Sequence, residues 1–185
     1  MNTIVTSRSA IIAAARILAS EKGLSNLNMR DVAKSCGISI GSVYNYFPSK
    51  ADLIIAIIED IWVTIFHQNS SDRPYNCFPD EVSWFFSCVK RGSSDYPEFF
   101  TMHTLALTTV DKNKGRMVMY DYLGHIKKGF ILTLAQDKNV KNGVFDQNFT
   151  EQQLIDFVIH HIFALLAQGA TDCDTLLAVI KKLLY

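Results

Sequence analysis

Five histidines, four cysteines and eighteen carboxylates are the groups in this 185-residue sequence that catalysis or metal binding would draw on. Their spacing gives them little to do. His160 and His161 are adjacent, so on a helix they project about 100° apart and make no metal pair. Asp121 with His125, and Asp156 with His160, stand four apart, the spacing of ordinary helix-surface contacts. Neither pair has a nucleophile or a third ligand beside it. There is no His-Glu-x-x-His run, no Gly-rich phosphate loop and no Ser or Cys nucleophile motif. Cys36, Cys77, Cys88 and Cys173 lack a Cys-x-x-Cys spacing and read as free core thiols of a reducing compartment. The sequence predicts no enzyme, no metal and no cofactor.

A different chemistry is concentrated between Asn28 and Lys50. Ser42 is small and can donate or accept a hydrogen bond, and Asn45 can read a base edge. Tyr44 and Tyr46 carry phenols that reach phosphates. Gly41 has no side chain, so its helix can approach a partner closely. Lys50 falls in the first turn of a helix, where its ammonium and the free N–H groups can share one phosphate.

The elements that must position these groups are helical. Ser7–Lys22 places Ile11, Ala14, Ala15 and Leu18 on one face, and Gly23 ends it. Asn28 caps a helix Met29–Ser35, which buries Val32 with Cys36 or Ala33, and Gly37 stops it. Ser39 caps a short third helix through Phe47, with Val43 and Phe47 facing inward, and Pro48 forces a break. Ser49, with Asp52 three residues on, opens a fourth helix to about His67, a capping box with Asp in place of Glu or Gln. Helix, Gly37 turn, short helix is the shape of a helix-turn-helix, whose second helix lies in a major groove.

Charge agrees with this division. The chain holds 18 basic and 18 acidic side chains, a formal balance of zero that speaks against a uniformly basic nucleic-acid binder. Residues 1–50 hold Arg8, Arg16, Lys22, Arg30, Lys34 and Lys50 against Glu21 and Asp31, a balance of +4, and residues 51–185 carry −4. An anionic partner for the first part alone follows.

Further helices are expected at about Asp80–Arg91, Glu98–Thr109, Lys114–Gln136, Thr150–Ala170 and Cys173–Leu184, giving an all-α chain of about nine helices without a sheet. Gly115, Gly124 and Gly129 weaken the third of these. The apolar runs Leu53–Phe66 and Leu154–Ala170 contain charges or histidines and fall short of the roughly 20 residues of a membrane span. Met1–Thr6 lacks the layout of a signal peptide. The expectation is a soluble cytoplasmic protein without a membrane partner.

Leu154–Ala170 is apolar nearly all round, and Leu176, Ile180 and Leu183 continue the pattern in the last helix. One stripe can face the subunit's own core and another a second copy. Leu154, Phe157, Val158, His161, Leu165, Leu176, Ile180 and Leu183 are the candidates for that interface. The stretch from residue 78 to 135 is rich in aromatic and soft side chains. Trp84, Phe85, Cys88, Phe99, Phe100, Met102, His103, Met117, Tyr120 and Tyr122 are the candidates for a cavity that takes a mainly apolar small molecule.

The run Ile11–Gly23, then Met29-Arg30-Asp31-Val32-Ala33, Gly37-Ile38-Ser39, and Gly41-Ser42-Val43-Tyr44-Asn45-Tyr46-Phe47-Pro48-Ser49-Lys50-Ala51-Asp52-Leu53 resembles the DNA-binding domain of tetracycline-repressor (TetR) family regulators. The resemblance covers about residues 8–55. It implies that Asn28 contacts phosphate, that Arg30 reaches a base, and that Ser39, Ile40, Gly41, Ser42 and Asn45 face DNA. It also implies phosphate or groove contacts from Tyr44, Tyr46 and Lys50, and a homodimer through the last two long helices. Leu27 stands where the family often has Thr, and Ala19 where it often has Phe. The first removes a phosphate contact, and the second empties part of the small core unless Leu24 or Leu27 fills it.

The expected protein has a helix-turn-helix domain in residues 1–50 and a ligand-binding and dimerisation domain in residues 51–185. It is a regulator, a repressor, that binds a palindromic operator in double-stranded DNA as a homodimer and is released by its effector. The alternative is a helical small-molecule-binding or carrier protein without specific DNA binding.

Overall fold

The computed structural model describes residues 6–24, 26–67, 77–96 and 112–185, with the backbone alone for residues 67 and 112–122. Among the described residues there are eight helices and no strand: α1 (Arg8–Lys22), α2 (Met29–Ser35), α3 (Ile40–Tyr46), α4 (Lys50–His67), α5 (Phe78–Asp95), α6 (Lys112–Gln136), α7 (Glu151–Ala167) and α8 (Asp174–Leu184). The helix expected over Glu98–Thr109 lies outside the described residues. The chain divides into two compact units, residues 1–68 with 91–118, and residues 69–90 with 119–185.

In the first unit, local chemistry sets the helix ends. The Ser7 side chain accepts from the Ala10 N–H at 3.1 Å, and Gly23, at φ +81°, closes α1. Asn28 caps α2 through the Asp31 N–H at 2.8 Å. At the far end Gly37, at φ +66°, donates to the Lys34 carbonyl, and Ile38 donates to that of Ala33. This is a Schellman cap, which needs a left-handed residue where Gly37 stands. Ser39 caps α3 through the Ser42 N–H at 3.1 Å. Phe47 is extended (φ −133°, ψ 96°), as the residue before Pro48 must be. Ser49 accepts from the Asp52 N–H at 3.1 Å, while its hydroxyl donates to the Asp52 carboxylate at 2.7 Å.

α1 packs on both α2 and α4. Its buried residues are Ile11, Ile12, Ala15 and Ala19, whereas Ala14 and Leu18 are half-buried. The stripe is rotated from the expected one because it serves two neighbours at once. Leu24 and Leu27 are both buried in the core of the same unit as Ala19, each contributing about 1.5–3 kcal/mol. Arg16 ties α1 to α4: its guanidinium lies 3.2 Å from the Asp60 carboxylate, donates to Thr64 Oγ1 at 2.8 Å and reaches the Tyr96 hydroxyl at 3.5 Å. Gly92, also in this unit, lets Ile65 come so close that a Cβ there would lie 2.2 Å from Ile65 Cδ1.

In the second unit, α5 begins two residues before its expected start, since Pro79 fits the first turn, where an N–H has no helical partner anyway. Phe130 sits edge-on to Phe78 and Phe85, with ring centroids 5.8 and 5.3 Å apart. Asp137, just past α6, is buried and accepts from the Phe78 N–H at 2.8 Å, the Asn139 N–H at 3.0 Å and the Tyr185 hydroxyl. Burial alone would raise its pKa, but these donors outweigh it and hold the carboxyl below its ordinary value. α7 opens with a capping box of Thr150 and Gln153. It ends three residues before the expected Ala170, because Gly169, at φ +75°, closes a second Schellman cap onto Leu165 and Leu166.

Candidate nucleic-acid interface

α2, the Gly37 turn and α3 form a helix-turn-helix. α3 is two-faced. Val43 is fully buried and Phe47, its C-cap, is 1% exposed. Ile40, Gly41, Tyr44 and Asn45 lie on the open side. That side carries no charge, one amide, one phenol and an apolar residue. It can exchange hydrogen bonds with base edges and place the Ile40 side chain against a thymine methyl. Gly41 is not demanded by the fold, since a Cβ there would meet only Ser39 Oγ, at an ordinary 3.7 Å. Its bareness leaves room on the outside.

The other residues named from sequence are placed as follows. Ser39 is exposed and Ser42 half-buried, and their hydroxyls bond each other at 2.9 Å. Asn28 is exposed, but its amide is also a structural group: its oxygen caps α2 and its nitrogen donates to Asp31 Oδ2 at 3.0 Å. Arg30 and Lys34 are exposed on α2, and Lys50 is exposed at the first position of α4. Lys22 is drawn to Asp31 at 3.2 Å. Tyr44 and Tyr46 are 46% and 40% exposed. The Tyr46 hydroxyl, however, donates to the Thr6 carbonyl at 2.8 Å, and Arg8 lies over the Phe47 ring at 5.1 Å. Sequence reading did not single out Arg8 for this surface.

Residues 11–57 match the family model of bacterial regulatory proteins of the tetR family. An HTH-type transcriptional regulator of Staphylococcus aureus (strain USA300) is 36% identical over 66 residues, a stretch that spans 34% of this chain and 36% of that regulator's length. The likeness to the tetR family is thus carried by the N-terminal domain, and the chain matches only about a third of the length of that curated regulator. Beyond that domain the likeness is one of fold. A protein from Rhodococcus sp. RHA1 put forward as a transcriptional regulator superposes with a TM-score of 0.70 at 19% identity, over 96% of this chain and 94% of that one. The multidrug binding protein EbrR, solved with imidazole, gives 0.65 at 15%, over 98% and 96%.

The candidates for a subunit interface split by burial. Leu154, Val158, Leu176 and Ile180 are buried within the single chain, so they are not on an open face. Phe157 is 53% exposed and Leu183 38%; Val179, part of the apolar pattern of the last helix but not among the interface candidates, is 50% exposed. His161 and Leu165 are half-buried, and the His161 ring stacks on Phe157 with centroids 5.7 Å apart.

Among the cavity candidates, Phe85 and Cys88 are each 1% exposed, with Phe85 in the Phe130 cluster, and Trp84 is half-buried. Phe99, Phe100, Met102 and His103, and the side chains of Met117, Tyr120 and Tyr122, lie outside the described residues. Sequence reading passed over Glu81, buried on α5 with Oε1 placed 3.4 Å from where a Gly129 Cβ would stand.

The remaining chemistry is quiet. Partial burial would raise the pKa of Asp156, but the Lys127 ammonium at 2.6 Å and the Gln152 amide hold it below its ordinary value. The four cysteines are free thiols, and burial with Asp174 and Asp172 nearby pushes that of Cys173 up to about 11. Among the described residues no three His, Cys, Asp or Glu side chains gather as a metal site would require, and no helix is long and apolar enough to cross a membrane.

Proposed function

We propose that this chain is a transcriptional regulator that binds double-stranded DNA through α3 and acts as a repressor. The observation that carries this reading is the face of α3: Ile40, Gly41, Tyr44 and Asn45 are open and uncharged, while Val43 and Phe47 anchor the helix from behind. Asn45 and Ser42 read bases, with Ile40 and Gly41 in close approach. Tyr44, Arg30, Lys50 and Asn28 fix the register, with Ser39 holding the helix start.

A homodimer gives the reading its geometry. Two copies of α3 about a twofold axis read a palindrome whose half-sites lie roughly 34 Å apart. The open apolar residues Phe157, Val179 and Leu183 of α7 and α8 supply the contact, with His161 and Leu165 at its edge. An effector, small and mainly apolar, is taken into the helical body. EbrR, of the same fold, is a multidrug binding protein. Binding there shifts α4 and changes the spacing of the two reading helices.

The test is a salt titration of binding to the DNA upstream of the chain's own gene, beside a scrambled duplex. A preference that survives at every salt concentration supports the reading. Equal binding to both duplexes throughout refutes it. Tyr44→Ala with Lys50→Ala weakens binding to both duplexes and flattens the salt slope by about 1–2. Ser42→Ala or Asn45→Ala chiefly changes which base is preferred.

A further inference from the structure

Tyr46 is the group whose position fits its expected role least. A phosphate oxygen only accepts hydrogen bonds, and a phenol has one proton to give. That proton goes to the Thr6 carbonyl at 2.8 Å. The next residue along α3, Phe47, holds the other end of the same short segment, with the Arg8 guanidinium 5.1 Å above its ring. Between the two contacts Ser7 caps α1, accepting from the Ala10 N–H through its side chain and from the Ile11 N–H through its carbonyl, both at 3.1 Å. Residues 6–8 are therefore strapped across the end of α3 from both sides.

The strap decides where a charge sits. A guanidinium held over a ring by cation–π attraction spends no hydrogen bond on it, so its N–H edges remain available to other acceptors. Those edges suit the oxygens of a phosphate, which they can meet two at a time. Arg8 is exposed, and it is anchored at the C-terminal end of the helix that carries Gly41, Tyr44 and Asn45.

We propose that Arg8 is a DNA phosphate contact and that Tyr46 is its positioning residue, acting through Thr6 and not on DNA itself. The proposal rests on the reading of the chain as a DNA-binding regulator.

The experiment has two readouts on the full chain. The first needs no DNA: amide exchange in Tyr46→Phe. Release of the strap raises exchange at Ala10 and Ile11 several-fold and leaves Val43 and Val32 unchanged. Unchanged exchange at Ala10 and Ile11 overturns the proposal. The second is a cycle of Arg8→Gln, Tyr46→Phe and both together, measured on the tightest duplex selected from random DNA. Each single change lowers the salt slope of the dimer by about 2, one phosphate contact per subunit, and the pair is no more than twofold worse than Arg8→Gln alone. Losses that multiply show that Tyr46 meets DNA independently, and they overturn the proposal, as does an Arg8→Gln variant with the original slope. A chain that selects no duplex while its strap protection is intact refutes the regulator reading itself and takes this proposal with it.

Discussion

Gly41→Ala separates what α3 needs for folding from what it needs for recognition. Gly in a helix costs roughly 0.5–1 kcal/mol relative to Ala, through the backbone freedom it gives up on folding. That cost is recoverable only where a methyl fits. At Gly41 it does: the backbone is helical, and the new Cβ meets nothing nearer than Ser39 Oγ, at 3.7 Å. The free chain should therefore gain about 0.5–1 kcal/mol, which for a chain of this size raises the melting temperature by roughly 1–4 °C. The effect on the proposed DNA complex has the opposite sign. The methyl projects from the open side, between Ile40 and the turn that bears Tyr44 and Asn45. If α3 lies against base pairs there, one extra carbon must be accommodated in a packed interface. Overpacking of that kind costs about 1–3 kcal/mol, a five- to 150-fold loss of affinity.

Thermal melting and a binding isotherm on the same preparation check the pair of signs. A variant that melts higher and binds more weakly is the expected result. Unchanged affinity would mean that α3 does not approach DNA at this position, and the orientation of the helix would have to be redrawn. A lower melting temperature would refute the packing argument, whatever the binding.

Asp137→Asn puts an amide nitrogen where a carboxylate now accepts from Phe78, Asn139 and Tyr185, and should cost about 2–4 kcal/mol in a urea melt at neutral pH. Because the folded pKa of Asp137 is depressed, its stabilisation is complete above its unfolded value of about 4 and is lost as pH falls through the folded one, so the difference between the two proteins narrows in acid. Gly92→Ala places a Cβ 2.2 Å from Ile65 Cδ1 and should destabilise by about 1–3 kcal/mol; Ile65→Ala in the same chain removes that atom, and a urea melt of the double variant should show less than the sum of the two losses. Phe157→Glu with Val179→Lys leaves a folded chain, since both side chains are open, and should halve the mass found by light scattering; an unchanged mass would remove this face from the proposed interface.

Helix ends in this chain are legible from sequence because they are local. Ser7, Asn28, Ser39 and Ser49 each bond an N–H three residues on, and Gly23 and Gly37 take the left-handed backbone that ends a helix. The inward side of α3 is legible too, since Val43 and Phe47 are four apart and Ile40 is the one other aliphatic residue of the helix. α7 defeats the same method. Apolar residues run nearly all round it, so periodicity cannot choose between the side with Ile155 and Ile159 and the side with Phe157. Packing chooses, and it buries Leu154 and Val158 along with the first set. The contacts that sequence reading missed share another trait: their partners are distant in the chain. Tyr46 meets Thr6 across 40 residues, Asp137 meets Phe78 across 59, and Arg16 reaches Tyr96 across 80. Nothing in local pattern marks a phenol whose proton is already given.

Charge and choice of sequence fall on different elements of the proposed interface. α3, from Ile40 to Tyr46, contains no ionisable cation or carboxylate. Among residues 1–50, apart from Lys22, which is paired with Asp31, the exposed basic side chains are Arg8 on α1, Arg30 and Lys34 on α2, and Lys50 on α4. Neutral contacts to base edges release no counterions, so salt should act on the flanking cations alone. Four such groups on each of two subunits set a ceiling of roughly −7 on the slope of log affinity against log salt, at about −0.9 per phosphate. The preferred and the scrambled duplex should then lose affinity in parallel, with the ratio between them held by α3. A steeper slope would require cations from the rest of the chain. Residues 51–185 carry an excess of four acidic side chains, so the body as a whole opposes such a contribution. A discrimination ratio that collapsed with salt would place the reading of sequence on the cations, and the uncharged face of α3 would lose its role.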